Sequence, residues 1–502
     1  MKIKMPLRQY QHEAMDATTE ALEKEGPHQL IVMPTGAGKT ILFAKIAEYY
    51  VKRKERVLVL AHRAELVDQA ADKIFAATGL VAGVEMGDLH ASLHSDLVVA
   101  SVQSMERRLD KWPQNHFDLI IVDEAHHVVA DSWQRVINHW PNAKRVGVTA
   151  TPDRSDARSL STVFSHVAAE IQMLDLIRDG YLCQVYARKL EVKVDLRQLK
   201  KEISEEQAAE ALLPHLQAVA AQLVEQAAGR KTMVFLPTVE ISRKFAYHLL
   251  ELGARARHIH GDSDCRDETL LWFRRPGSQI LCNAMLLTEG YDQPDVSCIL
   301  VLRPTQSRAL YAQMVGRGMR TTHGKADLLL LDPLWLTGKH NLCQPAELVT
   351  GSPALAKATQ LNMDAGMDLT EAEAKARQSA EETLTNKLKR CAKLRTPRGL
   401  VNPFLLTLAL GGAIADYEPV FPWESLPAEE ADLQELTRAG FHITPDLTAG
   451  LAKKLIKRIE LRRAQSLATP KQLQMLYRFR VKEADLLTNS QASFLIRKLI
   501  PR

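Results

Sequence analysis

One eight-residue stretch limits the possible folds of this chain more than any other feature. Residues 33–40 read Met-Pro-Thr-Gly-Ala-Gly-Lys-Thr, between an apolar run and the apolar-periodic segment 41–47. This order predicts a buried strand, a loop and a helix. Gly36 and Gly38 let backbone N–H groups turn inward, and the positive end of the helix faces the same point. We therefore expect a phosphate-binding loop, although Pro34 stands where the general pattern has its first glycine.

The side chains of this loop suit a nucleoside triphosphate with a bound divalent cation. Lys39 is predicted to reach the β- and γ-phosphates, and the Thr40 hydroxyl is predicted to bind Mg²⁺. ATP and Mg²⁺ are the expected cofactors. The other predicted nucleotide contacts in the loop are Thr35, Gly36, Ala37 and Gly38.

The composition is that of an ordinary soluble globular protein. With 502 residues, 46% hydrophobic and 25% charged, the chain is long enough for two to four domains. The N-terminus lacks the apolar core of a signal peptide, and the longest apolar run, 404–415, is shorter than the roughly 20 residues that span a bilayer. We expect a cytoplasmic protein with no membrane contact.

The cysteine pattern predicts buried thiols. No Cys-x-x-Cys pair occurs, which argues against a disulfide framework and a structural zinc site. His258, His260 and Cys265 lack a fourth ligand at a usual spacing, so we do not expect a metal there. The six cysteines are Cys183, Cys265, Cys282, Cys298, Cys343 and Cys391.

Positive charge is concentrated at the end of the chain. Of the net charge of +5, residues 425–502 contribute 14 Lys and Arg against 8 Asp and Glu, which leaves −1 for the rest. This imbalance indicates a polyanion partner for the tail, or simply a solvated helical face.

A short polar segment upstream of the phosphate loop suits recognition of a base. Leu-Arg-Gln-Tyr-Gln at 7–11 precedes an amphipathic helix that runs to about residue 25. The Gln11 amide can pair with the N6 amino group and N7 of adenine, and the Arg8 guanidinium can cover the ring. A plain helix start is the alternative interpretation.

Strands and helices alternate along the first third of the chain. Strands are predicted at 57–63, 96–103 and 145–148, and this alternation favours a parallel sheet with its working loops at the carboxyl ends. Arg63 and Gln103 are thereby expected at the same edge as the phosphate loop.

A further apolar strand, 118–126, ends in Asp123-Glu124-Ala125-His126. Adjacent carboxylates need separate roles: Asp123 is predicted to hold Mg²⁺ through its water shell, and Glu124 to orient and deprotonate the attacking water. His127 receives no role beyond surface or packing. The hydroxyl residues of Thr-Ala-Thr at 149–151 are expected to link the acidic segment to a neighbouring domain.

The phosphate loop, the Asp-Glu-Ala-His box and Thr-Ala-Thr occur in the order and spacing of a known family. On these motifs the chain resembles the superfamily 2 nucleic-acid helicases of the DEAH-box type. The resemblance implies an α/β fold with two tandem RecA-like parallel-sheet domains, followed here by an α-helical C-terminal region.

The next part of the chain contains a second alternating unit. A short strand at 191–194 and a helix at 205–228 precede strands near 231–238, 257–260 and 279–282. Two such units suit a two-lobed motor that binds ATP in its cleft and moves its lobes on closure.

Two stretches of the second unit resemble helicase motifs V and VI. In Thr-Glu-Gly-Tyr-Asp-Gln-Pro at 288–294, the resemblance implies that Gly290 and Asp292 face the nucleotide. In Gln-Met-Val-Gly-Arg-Gly-Met-Arg at 313–320, Arg317 and Arg320 are three apart, so we expect both on one helical face, pointing at the γ-phosphate. The catalytic residues predicted in total are Lys39, Glu124, Arg317 and Arg320.

Nucleic-acid contacts are predicted in both lobes. Thr288 is expected to touch a phosphate of the nucleic acid, and DNA is favoured over RNA only through the resemblance, since no residue identifies the 2′-hydroxyl. The complete predicted set is Arg63, Gln103, Thr238 and Thr288.

The predicted domains are a first lobe at 1–183, a second lobe at 184–340, a helical connector at 341–424 and a basic helical module at 425–502. Within the connector, 364–395 is predicted as one charged helix that Thr370 and Glu373 open as a capping box. It could act as a strut or a strand-separating arm, or be a passive solvated helix.

The basic module repeats itself every 40 residues. Nine residues from Leu433 to Ile456 recur from Leu473 to Ile496, which predicts two helix pairs that pack together. Pro470 is expected at the first helical position of its helix. The module is a possible DNA-contacting arm or a docking site for a protein partner.

These features together predict an ATP-dependent helicase or translocase. Within the superfamily the chain looks most similar to the group that includes RadD, the XPB-type helicases and the motor subunits of restriction enzymes. That similarity implies DNA as substrate, 3′-to-5′ movement, and work in repair, recombination, defence or phage-related processes. A duplex translocase without strand separation and an ATP-gated nucleic-acid sensor are the alternatives.

Overall fold

A computed structural model describes most of the chain, and these residues form two compact units, Met1–Glu373 and Ala374–Arg502. The described residues are 6–62, 64–150, 160–196, 203–261, 265–284, 291, 293–336, 342–350, 353–379, 422–441, 447–479, 481, 484 and 487–499.

The first half of the larger unit is built on a parallel sheet of seven strands in the order β3-β4-β2-β5-β6-β1-β7. Its central strands are buried on both faces, as in sheets covered by helices on each side. The strands are β1 His28–Val32, β2 Val57–Ala61, β3 Gly83–Glu85, β4 Leu97–Ser101, β5 Leu119–Asp123, β6 Lys144–Thr149 and β7 His166–Glu170.

The helices that cover this sheet largely follow the predicted pattern, whereas the strands predicted over 57–63, 96–103 and 118–126 end earlier, at Ala61, Ser101 and Asp123. The strand predicted over 96–103 ends at Ser101, because the Ser101 hydroxyl accepts the N–H of Ser104 (3.2 Å) and starts a helix that contains Gln103. The helices are α1 Gln9–Lys24, α2 Lys39–Lys52, α3 Ala64–Thr78, α4 Val102–Arg107, α5 Asp131–Asn138 and α6 Met173–Arg178.

The second half contains a parallel sheet of six strands in the order β10-β11-β9-β12-β13-β8. The strand predicted at 191–194 belongs to a strand of 12 residues, because a long partner, β13, pairs with it almost throughout. The strands are β8 Gln184–Asp195, β9 Thr232–Phe235, β10 Ala256–Ile259, β11 Ile280–Asn283, β12 Cys298–Val301 and β13 Asp327–Leu336.

The single helix predicted over 205–228 is wrong. Two helices occur there, separated by the 3₁₀ turn Leu213–His215, because Pro214 has no N–H to continue the helical hydrogen bonds. The helices of this half are α7 Glu205–Leu212, α8 Leu216–Gln226, α9 Val239–Glu251, α10 Arg266–Arg274, α11 Arg308–Gly316 and α12 Pro353–Asp364.

The continuous helix predicted over 364–395 is also wrong at its start. Helix α12 ends at Asp364, Gly366 follows with φ +99°, and a new helix occupies 369–379. Its cap is the Asp368 carboxylate, which accepts the N–H groups of Thr370 (2.8 Å) and Glu371 (3.0 Å), so Thr370 is not the N-cap. The remainder of the predicted helix lies outside the described residues.

Part of the segment predicted as a connector contributes to the larger unit. Leu348, Met363 and Leu369 are buried in the same hydrophobic cluster as Met233 and Phe235 of β9. Because these side chains leave water together with the second sheet, the segment supports that sheet.

Within the smaller unit, the described residues of 422–499 contain two helix pairs, as the 40-residue repeat predicts. Isolated bridges pair Pro427 with Thr448 and, forty positions later, Leu467 with Thr488. Buried residues of both copies form one core, and Pro470 begins its helix as expected. The helices are α13 Glu430–Ala439, α14 Ala449–Ala464, α15 Pro470–Arg478 and α16 Asn489–Leu499.

The described cysteines are free thiols, and one of them departs from the prediction. Cys265 is exposed at the start of α10, whereas Cys183, Cys282, Cys298 and Cys343 are buried. Cys391 lies outside the described residues. Over the part of the chain that the structure describes, no cluster of three or more His, Cys, Asp or Glu side chains suits a metal ion, and no helix is long and apolar enough to cross a bilayer.

Packing within the first sheet generates a stability prediction at Gly147 in β6. A Cβ there would lie 2.4 Å from Cζ of Phe164, a buried ring. Gly147→Ala is therefore expected to lower the free energy of unfolding by about 1–3 kcal/mol, measured by urea or thermal unfolding. Gly261→Ala is the control, since among the described residues no atom lies within 4 Å of its added Cβ. Equal stability of the two variants would contradict tight packing at Gly147.

Candidate nucleotide-binding site

The strand, loop and helix around the phosphate loop are confirmed. Strand β1 leads into the loop, and Gly36 (φ +87°) and Gly38 (φ +82°) adopt the left-handed conformation. Gly38 is the N-cap of α2, so the first N–H groups of that helix open towards the loop. A Cβ on Gly38 would lie 2.7 Å from Nε2 of Gln11. Glycine is therefore required there by both backbone angle and space.

Residues in the first turn of helix α1 form hydrogen bonds with the phosphate loop. The buried Gln11 amide donates to the carbonyls of Ala37 (3.1 Å) and Gly38 (3.3 Å), and its Oε1 accepts the Arg8 N–H (2.9 Å). The Tyr10 hydroxyl also donates to the Ala37 carbonyl (2.7 Å). Burial raises the pKa of Tyr10, so this hydroxyl remains a donor at neutral pH. These contacts hold the loop's carbonyls away from the phosphate side.

An ion pair joins the phosphate loop to the acidic segment. Nζ of Lys39 lies 2.8 Å from Oε1 of Glu124, and both side chains are only 10% exposed. Glu124 follows β5 with a positive φ of +47°, which is uncommon for a residue with a side chain and often marks a functional site. Oδ1 of Asp123 accepts the Glu124 N–H (2.9 Å) and fixes that backbone.

The histidines after Glu124 connect it to two neighbouring strands. Nδ1 of His126 lies 3.4 Å from the Thr149 hydroxyl at the end of β6, a contact within the first sheet, so the predicted link to a neighbouring domain stays a prediction. Thr151 lies outside the described residues. His127, which the sequence left without a role, stacks on the His62 ring at 4.5 Å and lies 4.1 Å from the His126 ring. The acidic segment therefore contacts the loop that follows β2.

Residues of both sheets line one cavity of about 330 Å³. From the first sheet come the phosphate loop, the two carboxylates and part of α3, and from the second come Pro294 and both predicted arginines. The lining residues are Arg8, Thr35, Gly36, Gly38, Lys39, Thr40, Ile41, Leu66, Gln69, Ala70, Lys73, Asp123, Glu124, Tyr181, Pro294, Arg317, Arg320 and Thr321.

The two arginines reach this cavity by a different route from the one predicted. Helix α11 ends at Gly316, so Arg317 and Arg320 do not share a helical face. Nη1 of Arg317 donates to the Tyr291 carbonyl (2.9 Å), while Arg320 forms an isolated antiparallel bridge with Leu182. Glycine ends the helix early, and the loop after it still brings both side chains to the cavity.

The cavity's chemistry fits a nucleoside triphosphate and Mg²⁺. The left-handed glycines form a concave backbone, and the buried Thr35 hydroxyl has no hydrogen-bond partner among the described residues. Thr40 and Asp123 line the same cavity, and one hydroxyl with one carboxylate suits Mg²⁺, which keeps several of its waters. Gln11 is not among the lining residues described.

Two predicted nucleic-acid contacts are described, one in each half of the larger unit. Gln103 is exposed in the first turn of α4. Thr238 is the N-cap of α9, and its hydroxyl accepts the Ile241 N–H (3.3 Å). The other two predicted nucleic-acid contacts, Arg63 and Thr288, lie outside the described residues, as do Gly290 and Asp292, the residues predicted to face the nucleotide.

Sequence reasoning missed the aromatic cluster at the mouth of the cavity. The Arg8 guanidinium lies 5.3 Å from the centre of the Tyr181 ring, and Tyr10 contacts that ring edge-on at 4.8 Å. Tyr181 is about 170 residues from its two partners. No local pattern signals such a contact.

Comparison with known proteins covers both halves of the site. Residues 4–154 match the family described as the type III restriction enzyme res subunit, and residues 214–322 match the helicase conserved C-terminal domain. IRC3 of Saccharomyces cerevisiae, named as an ATP-dependent helicase, is 31% identical over 353 residues, which cover 65% of this chain and 51% of IRC3. The DNA 3′-5′ translocase XPB2 of Sulfurisphaera tokodaii is 23% identical over 373 residues, which cover 66% of this chain and 82% of XPB2. The chain thus spans about half the length of IRC3.

Solved structures support the same fold. A fragment assigned to the HsdR subunit of a type I restriction enzyme from Vibrio vulnificus gives a TM-score of 0.54 at 22% identity, over 65% of this chain and 64% of the fragment. The type ISP restriction-modification enzyme LlaBIII, bound to DNA, gives 0.53 at 21% identity, over 66% of this chain and 28% of LlaBIII.

A phosphate loop and an arginine pair that share one cavity between two parallel sheets define a two-lobed P-loop ATPase. The two family matches assign both halves of the site to domains of superfamily 2 helicases, and the chain is related to the motor subunits of restriction enzymes. The family recognised from the sequence and the predicted pair of RecA-like domains are confirmed.

The contacts of Gln11 distinguish support of the loop from recognition of the base. Gln11→Ala removes the two hydrogen bonds that Gln11 donates to the loop carbonyls and leaves the one from Tyr10, so hydrolysis of ATP and of GTP is expected to fall by a similar factor, about 10-fold for contacts of about 1.4 kcal/mol. Steady-state kinetics with both nucleotides measure this. A loss confined to ATP would instead support pairing of Gln11 with adenine.

Proposed function

We propose that this protein is a nucleic-acid-dependent ATPase that translocates along DNA and separates its strands. The observation that carries the proposal is the single cavity lined by Lys39 and Glu124 of the first lobe and by Arg317 and Arg320 of the second. Because the two lobes complete the site together, nucleotide binding favours their approach and hydrolysis their separation.

The Lys39–Glu124 ion pair makes ATP binding precede the release of Glu124 as a base. A triphosphate competes with Glu124 for the Lys39 ammonium, because its oxygens carry more negative charge than one carboxylate. Glu124 is then released to orient a water molecule and accept its proton. Thr40 and Asp123 would hold Mg²⁺, which when bound would supply positive charge beside the phosphate oxygens. Arg317 and Arg320 stabilise the charge that develops on the transferred phosphoryl group.

DNA is the proposed substrate, and the relatives favour it. XPB2 is named a DNA translocase and LlaBIII is described as bound to DNA. Gln103 and Thr238 follow the carboxyl ends of β4 and β9, one in each lobe. Together with Arg63 and Thr288, they are proposed to hold one strand while the lobes move. We further propose a cytoplasmic protein with 3′-to-5′ movement that works in repair, recombination or phage-related processes.

The domain plan of the proposal keeps four parts: lobes at 1–183 and 184–340, a connector at 341–424 and a basic module at 425–502. In the module, the exposed face of α14 carries Lys454, Lys457 and Arg458 opposite buried Leu455 and Ile459. This charge supports a DNA-contacting arm, and a protein docking site is the second possibility.

The decisive experiment measures ATPase stimulation by single- and double-stranded DNA and RNA. Selective stimulation by DNA supports the proposal, and the absence of turnover on every nucleic acid would support the ATP-gated sensor instead. A strand-displacement assay run beside a triplex-displacement assay distinguishes a helicase that separates strands from a translocase that moves along intact duplex. A duplex translocase displaces only the third strand.

Two substitutions separate nucleotide binding from hydrolysis. Glu124→Gln keeps an acceptor for Lys39 but has no base, so ATP binding is expected to remain while kcat falls by about 10²–10⁴-fold. Lys39→Ala leaves a buried carboxylate without its cation and is expected to lose both binding and turnover. A fluorescent ATP analogue and a phosphate-release assay measure the two properties. Loss of binding in Glu124→Gln would contradict its assignment as the base.

Neutralising the exposed face of α14 tests the basic module. The triple change Lys454→Gln, Lys457→Gln and Arg458→Gln should weaken DNA binding and reduce the slope of log K against log[salt] by about 0.9 for each phosphate that is no longer neutralised. The matched control neutralises Lys24, Lys52 and Lys54, which are also exposed and lie in the first lobe. An unchanged slope in the α14 variant would exclude this face as a DNA-binding surface.

A further inference from the structure

The segment that carries both arginines is held on two sides after it leaves α11. On one side, the Cys183 N–H donates to the Met319 carbonyl (2.9 Å), and Leu182 pairs with Arg320. Residues 181–183 enter β8, so the chain that joins the two sheets runs beside the arginine segment. The other side is held by one side chain that sequence analysis did not single out.

That side chain is Lys325, whose ammonium reaches back to three backbone carbonyls. It donates to the carbonyls of Gly318, Arg320 (2.7 Å) and Pro294 (3.2 Å). Gly318 lies between the two arginines, and Arg320 is the second of them. Pro294 belongs to the segment whose Tyr291 carbonyl accepts from Arg317. One cation therefore joins the arginine segment to its neighbouring segment.

The charges around Lys325 leave the carbonyls as its main partners. The two nearest carboxylates are each bound to another cation: Asp295 to Lys231 at 2.6 Å and Asp327 to Arg230 at 2.6 Å. The other neighbours are Cys183, whose thiol donates to the Gly318 carbonyl, and Arg320 itself. An ammonium has three N–H donors, and here all three have acceptors.

We propose that Lys325 is a positioning residue that holds Arg317 and Arg320 towards the transferred phosphoryl group. The inference rests on the proposed function, because it assumes that both arginines act on ATP. Two of the three carbonyls belong to the arginine segment, so losing the ammonium frees the turn on which Arg320 lies. Removal of this support is expected to affect the transition state more than the binding of ATP.

Protonation of Lys325 gives this support a pH dependence. Burial lowers the pKa of Lys325 to about 8, with the nearby Arg320 acting in the same direction, and burial raises the pKa of the neighbouring Cys183 thiol. The ammonium is present below pH 8 and is lost above it, so the rate should be constant below about pH 8 and fall above it. Because the pKa of Lys325 in the folded protein lies below the ordinary value of 10.5, the unfolded chain binds more protons between pH 8 and 10.5. The contribution of Lys325 to the free energy of unfolding therefore increases as the pH rises through this range. Titration of Lys325 therefore does not unfold the protein above pH 8, and unfolding does not explain the expected fall in rate.

The experiment compares Lys325→Met with the wild-type chain. Lys325→Met keeps the length of the side chain and removes every donor, so kcat should fall at least 10-fold while KM for ATP changes less than about 3-fold. Affinity for ADP with aluminium fluoride, a mimic of the transferring phosphoryl group, should fall by the same factor, and affinity for ADP alone should not change. The decline above pH 8 should disappear in this variant.

Two further variants keep the test independent of folding. Lys325→Arg retains a cation that does not titrate, so the decline near pH 8 should vanish even where activity is largely kept. Lys111→Met is the matched control, since Lys111 is a half-buried lysine that binds the Glu85 carboxylate and the Ala91 carbonyl away from the cavity. It should retain the wild-type decline, whatever its effect on stability.

Arg320→Ala separates failure of this inference from failure of the proposed function. If Arg320→Ala keeps wild-type kcat and affinity for ADP with aluminium fluoride, Arg320 does not act on ATP, and the part of the proposed function on which this inference rests is wrong. If Arg320→Ala loses both while Lys325→Met keeps both, the inference alone is overturned. A decline near pH 8 that persists in Lys325→Arg also overturns it.

Discussion

The site depends on how closely two backbones approach each other at Gly316 and the phosphate loop. A Cβ on Gly316 would lie 2.5 Å from Cβ of Thr35, and a Cβ on Gly36 would lie 3.3 Å from the Gly316 carbonyl oxygen. Glycine on both sides lets the end of α11 contact the loop directly. That contact brings the arginine segment within reach of the phosphates, and any larger residue at Gly316 would push the two sheets apart.

The chemistry of the cavity rests on how its charges are held. Lys39 is bound to a carboxylate, so an incoming phosphate has to displace Glu124 to reach it. Arg317 donates to the carbonyl of Tyr291, a contact that orients its guanidinium. One cation is thus exchanged during binding and the other is already oriented. This division suits a site in which one lobe binds the nucleotide and the other completes it.

The parts of the fold that the sequence predicts well depend on neighbouring residues. The strand, loop and helix around Lys39 follow from glycine positions and apolar spacing, and the helix pairs of the smaller unit follow from the 40-residue repeat. The errors arise where apolar spacing was followed past a residue that ends a helix. Pro214 and Gly316 both end helices that apolar spacing alone would continue.

The supporting residues of the site are a different case, because their partners are distant in sequence. Tyr181 contacts Arg8 and Tyr10 across about 170 positions, and His127 stacks on His62 across 65. Lys325 binds carbonyl groups, which every residue type supplies, so no side-chain pattern marks its partners. Such contacts appear only when the folded chain brings these distant segments side by side.

The pairing of Leu182 with Arg320 has a mechanical consequence for a molecule whose two sheets are joined through residues 181–183. If the second sheet swings about this joint, atoms beside the axis travel the shortest arcs and atoms at the periphery the longest. Arg320 lies beside the axis, so a small adjustment at the phosphates corresponds to a large sweep at the outer surface. The joint would then act as the fulcrum of a lever that turns a small movement at the phosphates into a larger one at the periphery of the second sheet.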